Sequence, residues 1–215
     1  MKSKLNLSYN YQRFIFLLIT IFSVGSASLF AQQITPEQVV QKSAAVITSA
    51  KTLEASFTLQ SSGRQGKGTI KSSGNKFMVA IPGVTNWYNG KDLYTYNSKT
   101  GETTIITPTA KELLEVNPLL YVKNGATGYS YSFSSVKRNN KYVIDLLPKN
   151  AKSEIKKMTF TVNSTTYKIE KLQVTTSGGV TTVDITDFKT GIQIPDSEFD
   201  YPKSKYPKAE IIDLR

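Results

Sequence analysis

From Leu53 to Lys189 the chain alternates apolar and polar residues with a period of two, and turn signals interrupt the pattern every 8–12 residues. LEASFTLQ sets Leu53, Ala55, Phe57 and Leu59 on one face and Glu54, Ser56, Thr58 and Gln60 on the other, as successive residues of a strand must. Segments 66–71, 75–81, 84–89, 92–97 and 102–107 read as further short strands, separated by Ser-Gly-Asn, Pro-Gly, Asn-Gly-Lys-Asp and Ser-Lys-Thr-Gly. Strands resume at 128–138, 141–147, 153–163, 166–176 and 179–189. A single antiparallel sheet of about eleven strands does not stay flat; it curls toward closure. The expected fold is mainly β (α+β): a curled antiparallel sheet forming an incomplete barrel, with more interior than its own side chains fill.

Two helical segments flank or interrupt this meander. TPEQVVQKSAAVITSA (35–50) opens with Thr35 as N-cap, Pro36 at the first helical position and Gln38 completing a capping box. Its Val39, Val40, Ser43, Val46, Ile47 and Ala50 recur at helical spacing and give one apolar face. TAKELLEVNPLLYV (109–122) has a second capping box, Thr109 to Glu112, and a break at Pro118. Leu113, Leu114, Leu119 and Leu120 cluster around that break, so this broken helix is the expected lid or plug. The tail, punctuated by Pro202 and Pro207, reads as a loop or an edge.

Residues 1–31 read as a cleavable export signal. Lys2, Lys4 and Arg13 precede the apolar run 14–25, which is too short and wrongly flanked for a membrane span. Cleavage after Ala31 leaves 32–215 as a single domain; Ala27 is the alternative position. The chain contains no cysteine, so it has neither disulfides nor an acylated cysteine anchor, and a soluble periplasmic product is expected. Without the leader the net charge is about +8, which fits an anionic lipid or acidic partner or simply a lysine-rich exterior. No nucleic-acid motif is visible.

There is no histidine either. Ser-His-Asp and Cys-His catalysis and His/Cys zinc sites are therefore excluded. Carboxylates remain, but Asp184 and Asp187, three apart, fall on opposite faces of a regular strand, and Asp145 in VIDLL reads as an outward alternate. No catalytic residue, metal site or cofactor is expected. The aromatic hairpin GVTNWYNGKDLYTYN (83–97) places Trp87, Tyr94 and Tyr96 at alternating positions. These rings can pack a sheet, stack on a sugar, or line an apolar cavity. Periodicity does not say which face is concave, though the strand count favours a cavity.

The order of elements resembles the periplasmic outer-membrane lipoprotein carrier family, LolA. The likeness runs from the N-terminal helix and Ala55-Ser56-Phe57-Thr58 through GTIKSSGNKF (68–77), which is similar to the family's G-x-l-x-[basic/Pro]-x-x-F segment. YNGKDLYTYN (88–97) is similar to its D-G-K-x-L-W-x-Y-[DN] hairpin, with Asn89 for Asp and Tyr94 for Trp, and YPKAEIIDLR (206–215) to its terminus. In proteobacterial members an arginine in a K-R-P segment hydrogen-bonds into the lid and holds the empty cavity closed; the matching Lys71-Ser72-Ser73-Gly74 has none, and Arg64 is the nearest. This chain looks like a divergent branch.

The resemblance implies a monomeric carrier that takes acylated lipoproteins from an inner-membrane lipoprotein-releasing ABC transporter to an outer-membrane acceptor. Strand parity and the family's positions together place Phe57, Leu59, Phe77, Val79, Trp87, Tyr94 and Tyr96 in a lipid-binding cavity, under a lid of Leu113, Leu114, Leu119 and Leu120. The alternatives are a lipid sensor or a glycan-binding envelope protein on the same half-barrel. Sensor-type members carry an additional C-terminal domain, for which residues 32–215 leave no room.

Overall fold

A computed structural model describes residues 33–124, 126–135 and 139–215. The expected leader lies outside these, as do residues 136–138 at the end of one expected strand. Both capping boxes form. Thr35 Oγ1 accepts from Gln38 N at 3.2 Å while Gln38 Oε1 accepts from Thr35 N at 2.9 Å, starting α1 (Pro36–Ser49). The equivalent Thr109–Glu112 pair starts α2 (Ala110–Val116). Pro118 ends that helix, and a short α3 (Leu119–Lys123) follows. Each box satisfies donors that a helix start otherwise leaves unpaired.

The strands are β1 (Thr52–Ser61), β2 (Arg64–Ser73), β3 (Lys76–Ile81), β4 (Val84–Tyr88), β5 (Leu93–Asn97) and β6 (Glu102–Ile106), then β7 (Tyr129–Phe133), β8 (Lys141–Pro148), β9 (Ile155–Asn163), β10 (Ile169–Thr176), β11 (Gly179–Thr190) and β12 (Glu210–Asp213). They form one sheet in the order β12-β6-β5-β4-β3-β2-β1-β11-β10-β9-β8-β7. β1 thus sits mid-sheet, with one meander leading away on each side. The ends β7 and β12 do not pair with each other, so the sheet is an open half-barrel. All pairings are antiparallel except β12 against β6. That twelfth strand is an addition to the eleven expected: the tail returns past its two prolines and covers the β6 edge.

One face carries the core. Leu53, Ala55 and Phe57 of β1, Ile70 of β2, Phe77 and Val79 of β3, Val183 of β11, Leu172 of β10, Met158 and Phe160 of β9, and Ile144 and Leu146 of β8 are all buried on the side that α1 covers with Val39, Val40 and Ile47. Gly68 is required here. A Cβ at that position would sit 2.4 Å from the Phe57 ring and 2.8 Å from Ala80 O, so the ring lies directly on the glycine's backbone.

A bulge corrects one expectation. β1 and β11 slip register between Ser56 and Phe57, so Asp187 faces Ser56 and Asp184 faces Thr58. The extra residue brings both aspartates onto the same, outer face. Each is taken by a lysine, Asp184 by Lys171 at 2.7 Å and Asp187 by Lys189 at 2.9 Å.

Candidate functional site: a lidded apolar cavity

Between the core-facing side of the sheet and the broken helix lies a cavity of about 910 Å³, at the upper end of the roughly 300–1,000 Å³ usual for ligand sites. Both meanders contribute. Phe57 and Leu59 of β1, Val79 and Ile81 of β3 and Val84 of β4 form one wall; Val183 of β11, Val174 of β10 and Ile155 of β9 form the other. Leu114 and Val116 of α2, Pro118 at the break and Tyr121 of α3 close it from above. None of the α2 residues is fully buried, as befits a cover over open space. A second depression, of about 1010 Å³ beside Val46, Ala50, Ile192 and Pro195, is more open to solvent.

The expected cavity residues divide. Phe57, Leu59, Val79 and Leu114 line the cavity. Phe77, Leu119 and Leu120 share its side of the sheet but border a small gap beneath α1, with Ile47, Leu53 and Ile70; Phe77 and Leu119 belong to the packed core, and Leu120 is half-buried. Leu113 is half-buried and lines neither space. Trp87, Tyr94 and Tyr96 are corrected outright. Trp87 pairs with Tyr94 across β4 and β5, while their neighbours Asn86 and Thr95 face the cavity, so the three rings occupy the opposite face. There Trp87 meets Tyr201 edge-on at 5.6 Å, Tyr94 stacks on Tyr201 at 5.7 Å and Tyr96 lies 4.1 Å from Tyr206. The chain's own tail supplies the partners, held down by buried Phe199 and by the ion pairs Lys71–Glu198 and Lys76–Asp196, both 2.7 Å.

Two lysines reach from the broken helix to the rest of the molecule. Lys123 Nζ of α3 donates to Gly74 O at 2.5 Å, and burial pushes its ammonium pKa down. The stretch 71–74, which has no arginine to offer, instead accepts a bond from the lid. At the mouth, Lys111 of α2 pairs with Glu154 at 3.1 Å and with Glu115 at 3.9 Å. These groups are well exposed, so the contact is readily exchanged with water. Burial raises the Tyr121 hydroxyl to about 12 and the Tyr129 hydroxyl as well; both line the cavity as neutral phenols. Asp145 is held low: burial pushes it up, but hydrogen bonds from Lys157 and Thr159 outweigh that.

A polar pair that the sequence did not single out sits inside the apolar wall. Asn86, 5 % exposed, accepts a 2.7 Å hydrogen bond from Thr95 Oγ1. The only signal was a polar residue at a position whose alternates are apolar.

Residues 27–177 match the family model described as outer membrane lipoprotein carrier protein LolA. The chain belongs to that family. The fold is also similar to that of an uncharacterized conserved protein from Thermus thermophilus, at 9 % identity and TM-score 0.57, covering 82 % of this chain and 98 % of the other. A LolA-superfamily protein from Nitrosomonas europaea aligns at 14 % identity and TM-score 0.41 over 78 % of this chain and 98 % of its own. The Mycobacterium tuberculosis lipoprotein LppX aligns at 8 % identity and TM-score 0.44 over 74 % and 97 %. No curated protein matches the sequence significantly. Among the described residues no helix is long and apolar enough to cross a membrane, and no group of three or more Asp or Glu side chains could hold a metal.

Proposed function

We propose that this LolA-family protein is a periplasmic carrier that shields the acyl chains of lipoproteins between the inner and outer membranes. The observation that carries the reading is the lidded apolar cavity, walled by Phe57, Leu59, Val79, Val174 and Val183 and roofed by Leu114. Export by cleavage of residues 1–31 supplies the compartment. An inner-membrane ABC transporter loads the cargo, an outer-membrane acceptor takes it, and the carrier works as a monomer.

Energetics favour a cavity that stays partly open. Each buried methylene contributes roughly 0.8 kcal/mol, so three fully engulfed long chains would exceed the ceiling of about 20 kcal/mol for non-covalent binding, and release would fail. A half-barrel with an exposed ion pair across its mouth shields the chains incompletely. A glycan platform is disfavoured because the tail's Tyr201 and Tyr206 already occupy the hairpin rings.

The test is displacement of an apolar fluorophore from the purified protein by a synthetic diacylated lipopeptide, with mass spectrometry of lipid co-purified from the native envelope. Saturable displacement is expected. A protein that binds the fluorophore but releases none of it to lipopeptide would overturn the carrier reading.

A further inference from the structure

Asn86 lies near the middle of β4, between Val79 of β3 and Thr95 of β5, and its side chain faces the cavity. The Thr95 hydroxyl donates to Asn86 Oδ1 at 2.7 Å, which occupies the oxygen and fixes which way the amide points. The other half of the amide, Nδ2, has no hydrogen-bond partner among the described residues, yet it is not sealed off from open space. A nearly buried Asn86 therefore lines, with an amide nitrogen unpaired within the described residues, a chamber whose adjoining walls are Val79, Val84 and Phe57. An apolar chain that fills the chamber excludes water from that amide, which is unfavourable unless the ligand brings an acceptor of its own. The site is built to receive an acceptor.

We infer that Asn86 recognises an ester carbonyl of the cargo, anchoring the glycerol end of an acyl chain while the chain itself lies along the apolar wall. This inference rests on the carrier reading and adds a specificity to it. A diacylglyceryl group matches the site chemically. Each of its chains ends in a carbonyl oxygen that only accepts, and it carries no charge that the cavity would have to desolvate. A free fatty acid carboxylate would also accept from Asn86, but at the cost of bringing a full negative charge inside. Thr95 is a positioning residue: its hydroxyl holds the amide with nitrogen toward the ligand.

The full chain is titrated with a diacylated lipopeptide carrying ester-linked palmitoyl chains, with its diether analogue, which keeps the hydrocarbon and lacks the carbonyls, and with palmitate. Wild type is expected to prefer the ester by roughly three- to tenfold, the size of one net hydrogen bond, and to bind palmitate less well than either lipopeptide. Asn86→Leu, nearly isosteric, should bind ester and ether equally. Thr95→Val should reduce the ester preference more than it changes ether affinity. Equal affinity of wild type for ester and ether, a preference that survives Asn86→Leu, or tightest binding of palmitate each overturns the inference and leaves the carrier reading standing. Binding of neither lipopeptide overturns both. If Asn86→Leu fails to fold by circular dichroism, Asn86→Asp takes its place: it replaces the donor with an acceptor and should bind the ester less well than the ether, and a retained ester preference refutes the assignment.

Discussion

Replacing Leu119 and Leu114 by alanine, one at a time, separates the two duties of the broken helix. Leu119 is 5 % exposed and packs beneath α1 beside Ile47, Leu53, Ile70 and Phe77. A leucine truncated in such a place costs about 2–5 kcal/mol, because the space left behind closes only partly. In a domain of this size each kcal/mol lowers the melting temperature by about 2–4 °C, so Leu119→Ala should melt roughly 5–15 °C below wild type. Leu114 is only half-buried and faces space that is already empty. Its truncation removes little packing, about 1 kcal/mol or less, and the melting point should fall by no more than about 4 °C. Ligand affinity should respond in the opposite order. Leu114→Asp places a charge in the roof of an apolar chamber and should weaken displacement by diacylated lipopeptide at least tenfold, with the β-sheet circular dichroism unchanged, whereas Leu119→Ala should bind nearly as well as wild type once folded. Calorimetry and fluorophore displacement read the two effects independently. Equal melting points for the two alanine variants, or full lipopeptide affinity in Leu114→Asp, would refute the division of the helix into a roof and a core plug.

Trp87 packs against Tyr201 and Tyr206 on the face away from the cavity, so its emission should stay constant on lipopeptide binding and shift to longer wavelength when the chain is truncated after Phe199. Arg215 Nη1 reaches the nearly buried Asp92 carboxylate at 2.8 Å; Arg215→Ala should lower the melting temperature by a few degrees and increase hydrogen exchange in β6, and an unchanged exchange pattern would show that the tail is not held by this contact. Hydrogen bonding by Lys71 keeps Glu198 below the ordinary carboxylate range, and Asp145 and Glu170 are held low despite burial. Carboxylates depressed by folding contribute stability that is complete above their unfolded-state values and lost as pH falls through the folded ones, so urea midpoints should be level near neutrality and fall below about pH 4, less steeply in Glu198→Gln. A midpoint that rises on acidification would contradict the sign.

What the sequence disclosed follows the range of the interactions involved. The capping boxes at Thr35–Gln38 and Thr109–Glu112 and the period-two strands were legible because they depend on residues a few positions apart. The hairpin was ambiguous for a physical reason: Trp87, Tyr94 and Tyr96 share one face, but so do Tyr88 and Leu93 on the other, and both sets are apolar. Which set looks inward depends on where α1 and the tail settle, and that is tertiary information. β12 escaped notice because its parallel pairing with β6 joins residues about a hundred positions apart behind two prolines. The single inserted residue that turns Asp184 and Asp187 to one side leaves no trace in an alternating pattern. Phe57, Leu59 and Val79 were placed in the cavity by parity and resemblance together, and Leu114 above it by the leucine cluster at Pro118; Asn86 was overlooked because one polar residue in a half-apolar strand is ordinary until its neighbours are known.

The central position of β1 bears on how the molecule assembles. β2 to β6 and β7 to β11 are each successive hairpins whose pairings are local and quick to form. The seam between β1 and β11 must instead bring together Thr52–Ser61 and Gly179–Thr190, closing a loop that spans most of the chain at a substantial entropic cost. Zipping that seam is the expected slow event in folding, and a variant that weakens it, at Phe57 or Val183, should slow refolding more than one in either outer hairpin. The chamber draws its walls from both meanders and has no existence until the seam is shut. On the proposed reading, the nascent chain gains a place for hydrocarbon last, after its strands have found their partners, and is spared premature capture of lipid while its own apolar residues are still seeking one another.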